Sequence, residues 1–168
     1  MATLDSLNLR EARPDDADQI LRFIRELADY EKLLHEVTAT LEDIRETLFG
    51  ADPQAKVLIA EWDGAPAGFA LYHGMVSTFV GRSGFYLEDL FVRPEFRGRG
   101  IGSALLVRLA RIAVDTGQCR LDWSCLDWNE PSLAFYRRLG AKELTEWVRL
   151  RLDGEALKAV AARDGADG

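Results

Sequence analysis

The stretch that decides the fold reads Phe85-Tyr86-Leu87-Glu88-Asp89-Leu90-Phe91-Val92, then Arg93-Pro94-Glu95-Phe96, then Arg97-Gly98-Arg99-Gly100-Ile101-Gly102. Its first part is rich in aromatic and aliphatic side chains, which predicts a strand that ends before the proline. An apolar run from Gly100 to Thr116 predicts a helix that begins at the last glycines. The stretch therefore predicts a strand, a glycine-rich turn and a helix in succession.

The glycine-rich turn has the composition of an anion-binding loop. Alternate glycines let backbone N–H groups turn toward an anion without Cβ clashes. The start of the following helix adds a partial positive charge, and Arg97 and Arg99 add two full charges. The glycine spacing matches neither a P-loop nor a dinucleotide fingerprint. We interpret the turn as a phosphate cradle suited to a diphosphate; the alternative is a flexible connection.

The remaining pattern predicts an α/β chain with a mixed sheet. The predicted strands are Leu7–Ala12, Lys56–Trp62, Pro66–Met75, Phe85–Val92, Gln118–Leu126 and Lys142–Leu152. The predicted helices are Pro14 to about Tyr30, Thr40 to Gly50, Gly100–Thr116, Pro131–Leu139 and a short one after Gly154, with a loop over Val76–Ser83. Antiparallel hairpins followed by β-α-β units predict a mostly antiparallel, twisted sheet flanked by helices. We expect one domain over residues 1–168, with its core at about 7–152 and a loose tail at 164–168.

Composition excludes several classes of function. A net charge of -7 in 168 residues argues against a nucleic-acid-binding protein, which needs a basic face. No apolar run approaches the ~20 residues of a membrane-spanning helix, and the first residues lack the layout of a secretory signal. Cys119, Cys125 and two histidines do not form a zinc pattern, so we expect no metal. We expect a cytoplasmic protein with reduced thiols that does not bind membranes.

A second block of sequence agrees with the first. It reads Asp127-Trp128-Asn129-Glu130-Pro131-Ser132-Leu133-Ala134-Phe135-Tyr136-Arg137-Arg138-Leu139-Gly140-Ala141. Arg97-x-x-Gly100-x-Gly102 resembles the pyrophosphate motif of the GNAT acetyltransferases, and Asn129 followed by Tyr136 on a short helix resembles their other signature. With Tyr86-Leu87-Glu88-Asp89 and Asp29-Tyr30-Glu31, the blocks resemble the diamine (spermidine/spermine) and thialysine branch. The resemblance extends from about Leu9 to Leu152.

This resemblance implies acetyl-CoA as co-substrate and an N-acetyltransferase that acts on a primary amine. The implied cofactor-binding residues are Leu90, Phe91, Val92, Arg97, Gly98, Arg99, Gly100, Ile101, Gly102, Ser103, Asn129, Ser132 and Tyr136. The backbones of Leu90 and Val92 would pair with the pantetheine arm as a missing strand would. Tyr136 would protonate the departing CoA thiolate; the alternative is a packing residue. The family also implies a homodimer.

The same resemblance assigns substrate binding to Tyr30, Glu31, Ser77, Glu88 and Asp89. An alkyl amine has a pKa of about 10.4, so at neutral pH only one molecule in roughly 10³ to 10⁴ is nucleophilic. A carboxylate must therefore accept the ammonium proton, and Glu31, Glu88 and Asp89 are the candidates. Adjacent strand residues face opposite sides unless a bulge intervenes, and we favour Glu88 as the substrate-facing catalytic carboxylate. No Ser-His or Cys-His pair stands out, so the resemblance implies direct attack in a ternary complex.

One segment departs from the polyamine pattern. Enzymes of that type carry Asp-Pro-Trp ahead of the Tyr-Leu-Glu-Asp strand, whereas this chain has Val76-Ser77-Thr78-Phe79. A second cationic end of a polyamine would lose a partner, which favours a thialysine- or lysine-like amino acid or a small diamine. Glu146 corresponds only loosely to a substrate-contacting Glu. Two other functions stay open: a non-catalytic acyl-CoA-binding sensor, and an acetyltransferase that acts on protein amines.

Overall fold

The structure is a computed structural model that describes residues 6–163. The chain divides after Leu126 into two compact units. The predicted loose tail at 164–168 lies outside the described residues, and the assignment of a single domain to the whole chain stays a prediction.

The first unit is built on a five-stranded sheet in the order β1-β2-β3-β4-β5. The strands are β1 (Leu7–Glu11), β2 (Lys56–Trp62), β3 (Ala65–Ser77), β4 (Arg82–Val92) and β5 (Leu121–Trp123). The helices are α1 (Ala17–Tyr30), α2 (Leu41–Phe49) and α3 (Ile101–Asp115), with short 3-10 turns at Pro14–Asp16, Leu34–Glu36 and Pro94–Phe96. Only the β4–β5 pair is parallel within the described residues. This arrangement confirms the predicted mixed, mostly antiparallel sheet with helices.

Helix α1 packs its apolar stripe on the sheet and thereby fixes one end of β4. The Phe23 ring stacks on Phe69 at 5.2 Å and meets the edge of Phe91 at 6.4 Å. Burying each such ring contributes about 1.5–3 kcal/mol. The Arg93 guanidinium, directly after β4, donates to both carboxylate oxygens of Glu26 at 2.7 and 2.8 Å. The C-terminal half of α1 is therefore held against the end of β4.

Local signals in the sequence placed several boundaries correctly. Thr40 accepts from the Asp43 N–H at 3.2 Å, and the Asp43 carboxylate accepts from the Thr40 N–H at 2.8 Å, which is the predicted capping box of α2. Asp63 and Gly64 have φ of 49° and 80°, as a primed hairpin turn requires. Strand β2 has the predicted bounds.

Two predicted boundaries near β4 are wrong. The expected loop over Val76–Ser83 is only a turn at 78–81, because β3 continues to a buried Ser77 that pairs with Arg82. The expected strand Gln118–Leu126 shortens to Leu121–Trp123, since its partner β4 supplies matching backbone groups only as far as Leu87.

The second unit contains α4 (Glu130–Arg138) and α5 (Gly154–Ala161). Helix α4 confirms the prediction for Pro131–Leu139. The predicted strand at Lys142–Leu152 is wrong: its alternating apolar side chains suit a strand, but the described part of this unit holds no second strand to pair with it. Without a ladder partner the segment is irregular and its apolar side chains are exposed. No helix within residues 6–163 is long and apolar enough to span a membrane.

Candidate active site

A β-bulge in β4 organises the candidate site. Leu71 lies opposite Asp89, whereas the next residue, Tyr72, lies opposite Leu87, so Glu88 is the extra residue on its strand. A bulge bends the strand locally and shifts the alternation of its backbone and side chains by one residue. The bulge affects two features: the direction of the backbone groups of β4 beyond it, and the orientation of the adjacent carboxylates Glu88 and Asp89.

The first consequence concerns the backbone groups of β4. Before the bulge, the Phe85 N–H donates to the Arg120 carbonyl on the β5 side at 3.0 Å. After it, the Arg93 N–H donates to a β3 carbonyl at 2.9 Å. Because hydrogen-bonding direction alternates along a strand, Leu90 and Val92 direct their backbone groups away from β3. They do so beyond Leu87, the last residue of β4 that pairs with β5. Within residues 6–163, this part of β4 therefore has no neighbouring strand on that side, and an extended ligand could pair with it.

The second consequence concerns the side chains. Glu88 and Asp89 are adjacent, yet the bulge removes the need for them to face opposite sides. Burial and the negative charges of Glu88 and Glu31 raise the pKa of Asp89 from 3.8 to about 7. Burial also raises the pKa of Glu31, which directly follows α1. The structure therefore brings together all three candidate proton acceptors.

Cys125 borders this group of carboxylates. Burial and the negative charge of Glu31 raise the pKa of the Cys125 thiol above 9.0. A nucleophilic cysteine needs the opposite shift, toward the thiolate. The thiol is therefore neutral at physiological pH and unsuited to carry an acyl group.

The predicted phosphate cradle lies between β4 and α3. Gly98 and Gly100 have φ of 75° and 78°, a left-handed backbone that side chains disfavour. A Cβ at either position would meet no atom within 4 Å, so conformation rather than space requires glycine. The first intrahelical bond of α3 runs from the Ala104 N–H to the Gly100 carbonyl, and no side chain caps this end. The N–H groups at 101–103 are therefore available to an anion, which fits a diphosphate.

The two cradle arginines rest on aromatic rings. The Arg97 guanidinium lies 4.7 Å above the Tyr30 ring, and its Nε donates to the Val92 carbonyl at 2.9 Å. The Arg99 guanidinium lies 5.0 Å above the Trp62 ring. Arg97 and Tyr30 line one cavity of about 430 Å³, together with Phe91. Predicted cofactor-binding and substrate-binding residues thus meet at the end of α1.

In the second unit, the predicted cofactor residues sit on α4. The buried Asn129 side chain caps this helix by accepting from the Ser132 N–H at 3.4 Å. Tyr136 lies two turns further along, with its ring 5.1 Å from that of Phe135. The cap gives Asn129 a structural role in addition to the one that the resemblance implies.

Ser77 is not brought to the carboxylates. It is 3% exposed, and its hydroxyl accepts from the Arg120 guanidinium at 3.1 Å. Its cross-strand partner, Arg82, lies six residues before Glu88 on β4, a distance of roughly 20 Å along a strand. The structure gives Ser77 a local structural role at the hairpin end.

Sequence reasoning did not assign His73 to the site. The structure places its Nε2 3.4 Å from the Glu88 carboxylate. This contact depends on the register of β3 against β4. The register follows from the length of the turn and from the bulge, neither of which the residue pattern located.

Comparison with known proteins identifies the family of this chain. The model of the Acetyltransferase (GNAT) family matches residues 19–141. The chain belongs to this family. This acetyltransferase is 41% identical to the thialysine N-epsilon-acetyltransferase of Sus scrofa, over 94% of the chain and 99% of the relative. It is 29% identical to the L-ornithine N5-acetyltransferase of Arabidopsis thaliana, over 90% and 86% of the two chains. A solved integron cassette protein of V. cholerae superposes with a TM-score of 0.79 at 27% identity, over 94% and 99%.

Proposed function

We propose that this acetyltransferase transfers the acetyl group of acetyl-CoA to a side-chain primary amine of a lysine- or thialysine-like amino acid, or to a small diamine. The proposal rests on the gathering of Glu31, Glu88 and Asp89 at the bulge, beside the open edge of β4. Such a group attracts an ammonium ion by its charge. It also contains a carboxylate with a pKa of about 7, suited to accept a proton near neutral pH.

The cofactor-binding residues fit acetyl-CoA. The N–H groups at the start of α3, with Arg97 and Arg99, suit its diphosphate, and the backbones of Leu90 and Val92 suit the amides of its pantetheine arm. We assign Asn129 and Ser132 to the same ligand on the strength of the family pattern. Acetyl-CoA supplies the acetyl group as a reactive thioester.

Of the carboxylates, we assign proton acceptance to Asp89. The residue pattern favoured Glu88 for this role. However, the raised pKa of Asp89 makes it the stronger base once it is ionised, and general base efficiency follows basicity. The half-exposed Glu88 then binds the ammonium group and orients the amine. Glu31 adds negative charge from the end of α1.

Tyr136 donates its phenolic proton to the CoA sulfur as that sulfur departs. A phenol is a hydrogen-bond donor that stays protonated at neutral pH. The ammonium gives one proton to Asp89, and the free amine attacks the thioester carbon. The N–C bond forms as the C–S bond breaks, and the departing thiolate takes the Tyr136 proton. The nitrogen loses its second proton to the Tyr136 phenolate, which restores the phenol. No acyl-enzyme is required, in keeping with the neutral Cys125 thiol.

The amine class follows from similarity and from charge. The relatives at 41% and 29% identity are named for thialysine and ornithine, both amino acids with a terminal side-chain amine. The absence of Asp-Pro-Trp before β4 removes a partner for the far end of a polyamine. Both points favour a short substrate with one reactive amine near the carboxylates.

We also propose a homodimer. The end of β3 exposes Val76, and the turn that follows exposes Phe79 and Val80; Phe79 is 96% exposed. Contiguous exposed apolar side chains favour an interface between copies. Light scattering at several concentrations measures the mass: a dimeric mass supports the assignment, and a monomer at all concentrations contradicts it.

The function is tested by release of free thiol from acetyl-CoA with lysine, thialysine, ornithine, diaminobutane, spermidine and short peptides as acceptors. Mass spectrometry confirms the acetylated product. We expect the highest kcat/KM with one of the amino acids or diaminobutane. Acetyl-CoA binding by calorimetry without turnover would favour the sensor. A preference for peptides would favour a protein acetyltransferase.

Replacing Glu88 with Gln should raise the KM of the amine at least threefold, because one ammonium partner is lost. It should also move the acid limb of the kcat/KM profile to lower pH. The Glu88 charge helps to raise the pKa of Asp89, so its removal lowers that pKa. Glu42→Gln, on the exposed face of α2, is the control with the same charge change. If Glu88→Gln behaves like Glu42→Gln, Glu88 has no role in amine binding.

A further inference from the structure

His73 on β3 is fixed in a defined orientation beside β4. It lies opposite Tyr86, and the two rings stack with centroids 5.4 Å apart. The Tyr86 hydroxyl is in turn held by the Ser124 hydroxyl at 2.7 Å. Nδ1 of His73 lies 3.0 Å from the Gly74 carbonyl. A carbonyl only accepts, so this contact assigns a proton to Nδ1.

While Nδ1 of His73 contacts the Gly74 carbonyl, the other ring nitrogen, Nε2, faces Glu88. His73 Nε2 lies 3.4 Å from a carboxylate oxygen of Glu88, and the two side chains are 37% and 46% exposed. Nε2 donates to that oxygen when the ring carries both protons. The Glu88 charge also acts on Asp89, as does the charge of Glu31.

The bulge explains why Glu88 needs such a partner. As the extra residue on β4, Glu88 has no opposite residue on β3 whose side chain could restrict its rotamers by cross-strand packing. A half-exposed glutamate without fixed neighbours samples several rotamers, and ordering it on substrate binding costs affinity. When the ring carries both protons, Nε2 of His73 is a directional donor that keeps the carboxylate in one of them.

We propose that His73 is a positioning residue for Glu88, holding its carboxylate in the orientation that receives the substrate amine. The inference rests on the proposed function, because amine affinity is its main readout. It assigns His73 an effect on amine binding that passes entirely through Glu88. The binding of acetyl-CoA and the chemical step stay as they are.

Two substitutions of His73 test the roles of its two ring nitrogens separately. The amide nitrogen of Asn occupies the place of Nδ1, and that of Gln occupies the place of Nε2. His73→Asn should raise the KM of the amine at least threefold, with kcat and the KM of acetyl-CoA within twofold of wild type. His73→Gln keeps a donor toward Glu88 and should stay within twofold in all three constants. His35→Asn is the control, because its Nε2 also lies 3.4 Å from a glutamate, Glu36, on another segment.

A double-mutant cycle tests whether His73 affects amine binding through Glu88. In the Glu88→Gln background, His73→Asn should cause no further increase in the amine KM, whereas a merely structural residue would weaken binding equally in both backgrounds. Equal factors in both backgrounds, or wild-type behaviour of His73→Asn, would overturn the proposal.

A measurement that does not depend on activity separates the His73–Glu88 pairing from the proposed acetyltransferase function. The nitrogen NMR resonance of His73 Nε2 should move on Glu88→Gln at constant pH, while that of His35 should not. If the wild type acetylates no amine but the resonance moves, the proposed function fails and the pairing stands. If the wild type is active and the resonance is unchanged, the pairing fails alone.

Discussion

Asp89→Asn is expected to lower kcat about 100-fold or more, the lower end of what a general base contributes. The amide has the shape of the carboxyl group but cannot accept the ammonium proton. The group at this position is partly buried and interacts with the charges of Glu88 and Glu31, and those surroundings give Asp89 its raised pKa. Steady-state kinetics with the best amine of the panel measures the loss. A variant with more than half of the wild-type kcat would remove Asp89 as the proton acceptor.

The pH dependence of kcat/KM provides a second test of Asp89 as the proton acceptor. Asp89 accepts a proton only when ionised, and its pKa is about 7. The kcat/KM of the wild type should therefore rise with pH and reach half of its plateau near that value. In Asp89→Asn this limb should be absent from the residual activity. A wild-type profile that is flat between pH 6 and pH 8 would contradict the assignment.

The free energy of unfolding of Asp89→Asn shows whether this variant folds as the wild type does. The pKa of Asp89 is 3.8 when unperturbed and about 7 in the fold, so the wild type loses stability as pH rises from about 4 to about 7. Asn removes that loss. We expect Asp89→Asn to be more stable than wild type by about 1–3 kcal/mol at pH 8, with a smaller difference toward pH 4. Urea unfolding at both pH values measures it.

The parts of the fold that sequence predicted are those encoded locally. The cradle follows from glycines between a strand and an apolar helix, and the start of α2 follows from Thr40 and Asp43. Each signal lies within a few residues and fixes its own backbone geometry. The turn at Asp63 and Gly64 belongs to the same class, since positive φ at both positions allows few other outcomes.

The bulge at Glu88 belongs to a different class. Its position depends on how β3 and β4 align over their whole length, and a one-residue shift reverses the face of each side chain beyond it. Alternation along a single strand therefore separated Glu88 from Asp89, whereas the paired strands bring them together. The contact of His73 with Glu88 and the early end of β5 follow from the same shift.

Tyr136→Phe is expected to lower kcat at least tenfold and to leave acetyl-CoA affinity within twofold. The change removes one oxygen from α4 and keeps the ring, so the packing against Phe135 survives. What is lost is the donor that protonates the departing thiolate, a step for which general acid help is worth about 10² to 10⁴ in rate.

Tyr72→Phe is the matched control, because it removes the same atom from a buried position in the first unit. Calorimetry with acetyl-CoA separates the two roles of Tyr136 that sequence left open. Lost turnover with intact binding supports the acid. Lost binding would instead show that the hydroxyl is needed to bind acetyl-CoA, and unchanged turnover would require another donor for the thiolate.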